Sequence, residues 1–489
     1  VQDVEGQRGR LASPVAYASS AADLPTLDGT DVRSVELTGR DGLGVGIGEL
    51  DYGTRVADRA GHGRRAVQAS ARASFADSRL DPFAGAVALE PAPAPPARCL
   101  RRLDLARLDR VAARAHQVGL RRVHVVAWRD LEDPEAGGSE VHAHRVASLW
   151  ADAGIDVVLR TSHAPGLGVH ARRAGYRVVR RAGRYAVFPR SALGGLLRTD
   201  GQRDGLVEIW NGMPFFSPLW ATGPRVVFLH HVHAEMWRMA LPPALARMGE
   251  VLERRIAPPV YRRSRIVTLS SSSRAEIVSM LGLPAERVDV VPPGVDRRFS
   301  PGGIRSPQPL VVAVGRLVPV KRFDLLIEAL VQARRQVPQL QAVIVGEGYE
   351  RPRLEARVRA AGAAGWIQLP GHLGDTELVD TYRRAWVVAS LSQREGWGMT
   401  ITEAAACGTP AVASRIAGHI DAVEHGVSGL LVDSVAEAAG ALVSVLVDER
   451  RRRALSRAAM ERASRFTWEA TAAGTLRALV AEAEARRRF

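Results

Sequence analysis

The chain of 489 residues has almost no lysine: of its 67 basic residues, all but Lys321 are arginine. With alanine and glycine abundant, this bias reads as genome-wide composition and not as a surface selected for phosphate contacts. The net charge of +15 therefore does not imply a specific nucleic-acid partner. The runs Arg450–Arg453 and Arg486–Arg488 read as solvated helix faces, with weak attraction to an anionic membrane surface as the alternative. Only two cysteines occur, Cys99 and Cys407, far apart in unlike contexts. That excludes a disulfide framework and suggests a reducing, cytoplasmic setting. No Cys/His group has zinc spacing. No apolar run is long enough to span a bilayer, and no charged-then-apolar signal segment opens the chain. Methionine is missing before Met213 and the chain opens on Val1. The expectation is a non-AUG start, a fragment, or a start placed too far upstream.

What is present suggests two doubly wound domains. Residues 1–98 are rich in Gly, Ala, Ser and Asp and end in the stiff pattern Pro91–Pro96, so they are expected to be disordered or absent from the working protein. Between Leu100 and His116, Leu103, Leu105, Leu108, Val111 and Ala112 suggest an amphipathic helix that packs, or alternatively lies on a membrane surface. The folded chain proper begins at Arg121. A buried strand over Arg122–Trp128 leads to Gly137-Gly138-Ser139-Glu140, a helix through Trp150 with Ser139 as its cap, and a second strand over Ile155–Leu159. The strand Arg225–Leu229 runs into His230-His231-Val232-His233, on the rim where such sheets bind ligands. A metal is not expected there, because adjacent side chains on an extended segment point to opposite faces and no carboxylate completes a triad. A long helical region then reaches Arg262, and Pro301–Pro309 makes a linker. The alternation of strand and helix restarts at Leu310, indicating a second sheet. The resulting boundaries are 99–300, 301–469, and a final helix over 470–489 that returns to the first domain.

The chain is organised around Ser392–Pro410. An apolar strand pattern, Trp386–Leu391, precedes it, and an Ala-rich helix that stops at Gly408-Thr409-Pro410 follows. Strand, glycine-punctuated turn and helix leave backbone N–H groups free to hold an anion. Glu395 in the turn and Glu403 in the helix would repel a phosphate, so their targets are neutral hydroxyls. Phosphate plus hydroxyls on one ligand suggests a nucleotide or nucleotide-sugar. The bland alternative is a helix cap with two solvated glutamates.

This Glu-x7-Glu arrangement resembles the signature of the retaining GT-B glycosyltransferases, in particular family 4, and the resemblance becomes specific at Gly315-Arg316 and Lys321. It covers roughly residues 121–480 through several motifs in order. It implies a GT-B fold, two Rossmann-like doubly wound domains facing a central cleft, with the first taking the acceptor and the second the donor. It implies that Arg316 and Lys321 bind the donor diphosphate, that Glu395 contacts sugar hydroxyls, and that Glu403 binds ribose. Gly137 and Gly138 would approach donor phosphate and sugar. Gly346 and Gly348 would lie near the base, and Gly396, Trp397, Gly398 and Met399 would supply backbone amides. His230 would face the donor sugar, with His233 as a second candidate. Fixed cations at a departing diphosphate favour the transition state independently of any resemblance.

No Asp-x-Asp clamp occurs, so neither metal nor cofactor is expected beyond the nucleotide-sugar substrate. The family's Gly-Gly-x-Pro-Glu is here Ala417-Gly418-His419-Ile420-Asp421, which puts donor contacts in that loop in question. The expected activity is retaining, metal-independent glycosyl transfer to a glycan, lipid-linked or small-molecule acceptor. The setting would be cytoplasmic, with peripheral contact at the inner face of an anionic membrane as an added partner. The rivals are a GT-B nucleotide-sugar epimerase and a basic surface-binding protein on a degenerate scaffold.

Overall fold

The computed structural model describes residues 97–488, without Pro165 and Asp200. The expected disorder before residue 97 lies outside the described residues. Ala97 and Arg98 already belong to the first helix, Ala97–Gln117.

Apolar segments separated by glycine and proline become two sheets within one compact unit. The first sheet contains β1 (Arg122–Val126), β2 (Asp156–Thr161), β3 (His170–Arg173), β4 (Tyr176–Arg180), β5 (Gly205–Trp210), β6 (Arg225–Leu229), β7 (Arg265–Thr268) and β8 (Val288–Val290). Its order is β3-β4-β2-β1-β5-β6-β7-β8. Every neighbouring pair is parallel except β3–β4. The second sheet contains β9 (Leu310–Val314), β10 (Gln341–Val345), β11 (Ile367–Gly371), β12 (Val387–Ser390), β13 (Ala411–Ser414) and β14 (Gly429–Val432). It is wholly parallel, ordered β11-β10-β9-β12-β13-β14. In both sheets the strand order reverses beside the first strand, between β1 and β5 and between β9 and β12. Ligands of doubly wound sheets sit outside the strand ends at such switch points.

The final helix, Trp468–Arg487, joins the core of the first sheet. Ala472, Leu476 and Leu479 are buried there with Leu108 and Ala112 of the first helix and Trp150. Trp150 Nε1 donates to the Ala472 carbonyl at 2.9 Å. The crossing back happens at Gly294, where an added Cβ would lie 2.1 Å from the Trp468 nitrogen, so only glycine fits.

Several local expectations are corrected. Leu103 and Leu105 face solvent, and the packed face of the first helix is Leu108, Ala112 and Ala115. The helical region before Arg262 is broken into Met236–Ala240, Pro243–Val251, a π-helical turn at Leu252–Ile256, and Ala257–Tyr261. The hairpin β3–β4 has no counterpart in the sequence reading; Ala174 and Gly175, at φ 41° and 82°, form its two-residue turn. In the run Arg450–Arg453, Arg452 is half-buried, donating to the Val445 carbonyl and stacking 4.0 Å over the Trp386 ring.

Candidate active site

The two turns that leave the switch point of the second sheet are tied to each other. After β9 the chain runs Gly315–Arg322, and after β12 it runs Leu391–Gly398. The Gln393 N–H donates to the Val320 carbonyl at 2.8 Å. Across this contact Lys321 Nζ and Glu395 Oε1 form an ion pair, each side chain about one-fifth exposed (21% and 18%). Ser392 Oγ donates to the same carboxylate oxygen at 2.9 Å. Burial pushes the Glu395 carboxyl up, but the ammonium of Lys321 and these hydrogen bonds outweigh it and hold the group down at about 2. Glu395 is thus not a solvated glutamate. It is bonded to the cation expected to meet the diphosphate.

The loop Gly346-Glu347-Gly348 is laid against the first turn. A Cβ at Gly346 would stand 2.0 Å from the Gly315 carbonyl oxygen, and one at Gly348 2.3 Å from that of Leu317. The helix Met399–Ala406 starts at Gly398, φ 98°, and its first N–H groups have no carbonyl of their own helix to bond. Trp397 turns its ring into the core, edge-on to Phe466 at 4.9 Å between centroids, so only its backbone is available to a ligand. Farther along the helix, Glu403 Oε2 accepts from the Tyr382 hydroxyl at 3.2 Å. Burial pushes the Glu403 carboxyl up to about 7, only partly offset by the bond from Tyr382. The two carboxylates of the motif therefore sit in opposite electrostatic settings.

The first domain meets this platform at three places. The turn after β1 brings Gly137 beside Arg316, whose Nε would be 3.4 Å from an added Cβ. Arg316 Nη1 donates to the Glu135 carbonyl at 3.2 Å. Glu135 is itself held by Arg129 and Arg184. The helix cap here is Gly137 and not Ser139: Glu140 Oε2 accepts from the Gly137 N–H at 2.8 Å. Gly138 faces the Met399 sulfur. The second place is the end of β6. His230 is buried with its ring edge-on to His142, centroids 4.8 Å apart, inside the first domain. What it offers the cleft is its carbonyl, 2.6 Å from where a Cβ of Gly396 would be. The neighbouring His231 feels Glu395, Arg394, Lys321 and Arg316; burial pushes its imidazole down to about 4 against the pull of Glu395, with the three cations adding to the fall, so it is neutral at pH 7. His233 stacks on His231 at 4.9 Å. At the strand end it is thus the carbonyl of His230, and not its ring, that lies against Gly396.

The third place is the departure from the family pattern. Asp421 accepts from the N–H groups of Ser271 (2.9 Å) and Ser272 (3.2 Å) at the start of the first-domain helix Ser271–Leu281. A carboxylate there is favoured by the helix dipole. Arg394 adds ion pairs to Glu235 at 3.0 Å and Glu276 at 2.9 Å. The loop that departs from the family pattern therefore fastens the two domains together. Sequence reasoning gave no role to Glu135, His231, Arg394 or Asp421, although His231, Arg394 and Asp421 lie in stretches it singled out. Among the described residues no group of three or more His, Cys, Asp or Glu is arranged to hold a metal ion, and no helix is long and apolar enough to cross a membrane.

Two facing doubly wound sheets with a cation-bearing turn at the second switch point define the GT-B class of glycosyltransferases. The family profiles agree: residues 295–462 match "Glycosyl transferases group 1" and residues 136–299 match "Glycosyltransferase Family 4". The chain belongs to the group 1 glycosyltransferases and is a glycosyltransferase. It is similar to a D-inositol 3-phosphate glycosyltransferase of Thermobispora bispora, 30% identical over 418 residues, covering 74% of this chain and 95% of that one. A protein of the same name from Kribbella flavida is 30% identical, covering 73% and 95%. Among solved structures, sucrose-phosphate synthase from Thermosynechococcus elongatus superposes with TM-score 0.62 at 20% identity, over 72% of this chain and 96% of that one. Anabaena HepE in complex with UDP-glucose superposes with TM-score 0.58 at 19% identity, over 75% and 100%.

Proposed function

We propose that the chain transfers a sugar from a nucleotide-sugar to an acceptor hydroxyl with retention of anomeric configuration and without a metal. The observation that carries this reading is the Lys321–Glu395 pair, beside Arg316 and the N-terminus of the helix Met399–Ala406 at the β9/β12 switch point. Arg316, Lys321 and the N–H groups of Gly396–Met399 meet the charge that grows on the departing diphosphate. Glu395 takes sugar hydroxyls, Glu403 takes ribose hydroxyls, and Gly346 and Gly348 admit the base. His231, neutral, lines the sugar side. The anomeric C–O bond to phosphate breaks as the acceptor oxygen bonds on the same face, and the acceptor proton passes to the leaving phosphate oxygen. The names of the relatives favour a small, phosphate-bearing polyol as acceptor over a glycan or lipid-linked one. The test is release of nucleoside diphosphate that requires donor and acceptor and persists in EDTA.

The raised Glu403 carboxyl gives a pH signature. Ribose donates two hydroxyls, which the carboxylate accepts better than the neutral acid. From pH 6 to pH 8 the affinity for nucleoside diphosphate is expected to rise roughly tenfold, following ionisation around 7. The rise should vanish in Glu403→Gln. The sign for stability is opposite: with the folded value above the unfolded one, the contribution is present below about 4.5 and lost as pH climbs through 7. Titration calorimetry at several pH values checks the first, and thermal melts the second.

The cytoplasm is the proposed compartment, with peripheral contact at an anionic membrane. Support comes from Leu103 and Leu105, exposed on the first helix beside Arg102 and Arg107. Co-sedimentation is expected with vesicles containing anionic lipid but not with neutral ones, and Leu103→Glu with Leu105→Glu should abolish it. Equal behaviour on both vesicles would contradict the contact.

A further inference from the structure

The loop after β6 holds an unusual shape for reasons that lie outside the cleft. Ala234 sits at φ 45°, a left-handed conformation that alanine adopts only when its surroundings impose it. What imposes it is Glu253, wholly buried. Its carboxylate accepts from the His233 N–H at 2.7 Å, the Ala234 N–H at 2.9 Å and Trp237 Nε1 at 3.1 Å. Glu253 reaches these donors from the π-helical turn Leu252–Ile256, closed by the Ala257 N–H on the Leu252 carbonyl. Pro258 and Pro259 have no N–H to continue the ordinary ladder to Arg254 and Arg255, which is the local reason for the widened turn. The loop so fixed carries three contacts with the donor platform. The His230 carbonyl lies against Gly396, His231 stacks on His233 at 4.9 Å within electrostatic reach of Glu395 and Lys321, and Glu235 pairs with Arg394.

We propose that Glu253 is a positioning residue for glycosyl transfer: by pinning His233 and Ala234 from a π turn, it holds His231 against the sugar side of the donor site. This rests on the reading of that site given above. A carboxylate is required because all three partners are donors. Glutamine would turn an NH2 toward one of them, at almost unchanged volume.

The test is a double-mutant cycle in the full chain, with kcat, donor KM and free nucleoside diphosphate affinity measured for Glu253→Gln, His231→Ala and the double variant. Glu253→Gln is expected to lower kcat by on the order of 100-fold, as for a catalytic group misplaced by about 1 Å. Diphosphate affinity should stay within about twofold, since its cations sit on the other domain. The double variant should be no worse than His231→Ala alone. Trp237→Phe, which removes one donor and leaves the carboxylate, should give a smaller loss in kcat and serves if Glu253→Gln does not fold. Wild-type kcat in both Glu253→Gln and Trp237→Phe would overturn the proposal. So would losses that multiply with His231→Ala, or a silent His231→Ala while Lys321→Met remains damaging. A silent Lys321→Met would instead overturn the reading of the site on which the proposal rests.

Discussion

Lys321→Met lowers kcat by on the order of 100- to 1,000-fold, the loss expected when one preorganised donor to a developing oxyanion is removed. Methionine keeps the length and apolar stem of the side chain and deletes only the ammonium. The structure adds a second consequence. Lys321 is the partner of Glu395, so its removal strands a carboxylate with 18% exposure. Breaking a fully buried pair costs about 3–5 kcal/mol, an upper bound here because both side chains keep some solvent. Glu395 lies at about 2 in the folded state, below its unfolded value. Its stabilising contribution is present above about 4.5 and lost as pH falls through 2. In Lys321→Met that acid-side loss should shrink, since the depressed value depends on the ammonium. Adding Glu395→Gln to Lys321→Met should restore melting temperature without restoring kcat. Recovery of both together would show that the lysine serves folding and not transfer.

Glu403→Ala should raise donor KM by a factor corresponding to about 1.5–3 kcal/mol, the range of charge-assisted hydrogen bonds, with kcat little changed. Ribose does not alter during transfer, so Glu403 supplies equal binding to ground and transition states. Glu395→Ala should do the reverse and lower kcat more than it raises KM, because the sugar changes shape and charge as its bond to phosphate breaks. Titrating free nucleoside diphosphate separates the two. Glu403→Ala should weaken that binding. Glu395→Ala should leave it intact or tighten it, because the product lacks the sugar and Lys321 is released from its ion pair. Equal loss of diphosphate affinity in both variants would contradict the division into one ribose carboxylate and one sugar carboxylate.

Most of the fold was legible because strands buried on both faces read as short apolar runs bounded by glycine and proline. Leu310–Val314 and Arg225–Leu229 were found that way, with bounds that hold. The β3–β4 hairpin escaped because an edge pair rich in arginine carries no such run. The breaks before Arg262 fall at Pro242-Pro243 and ahead of Pro258-Pro259, which a continuous helical pattern masks; that the π turn at Leu252–Ile256 aims Glu253 at the His233 N–H, 20 residues earlier, has no local sign at all. In the candidate site, Arg316, Lys321, Glu395 and Glu403 could be singled out because each lies in one of two contiguous stretches that follow a strand, a turn or the helix it leads into. His231 was not: neighbours on an extended segment face opposite ways, and only the packing of His230 on His142 decides which one meets the cleft. Asp421 was not, because its partners Ser271 and Ser272 are on the other domain. A departure from a sequence pattern withdraws the expected contact and gives no hint of what replaces it.

The most direct measurement is nucleoside diphosphate release in EDTA from a panel of nucleotide-sugars including UDP-glucose, with and without inositol phosphates and other polyol or glycan acceptors, the product's anomeric configuration being read by proton NMR. The expected result is release that requires an acceptor, survives chelation, and yields a product with the anomeric configuration of the donor. Release at the same rate without an acceptor, an inverted product, or activity restored only by Mg²⁺ or Mn²⁺ would contradict a retaining, metal-independent transfer at the Lys321–Glu395 turn.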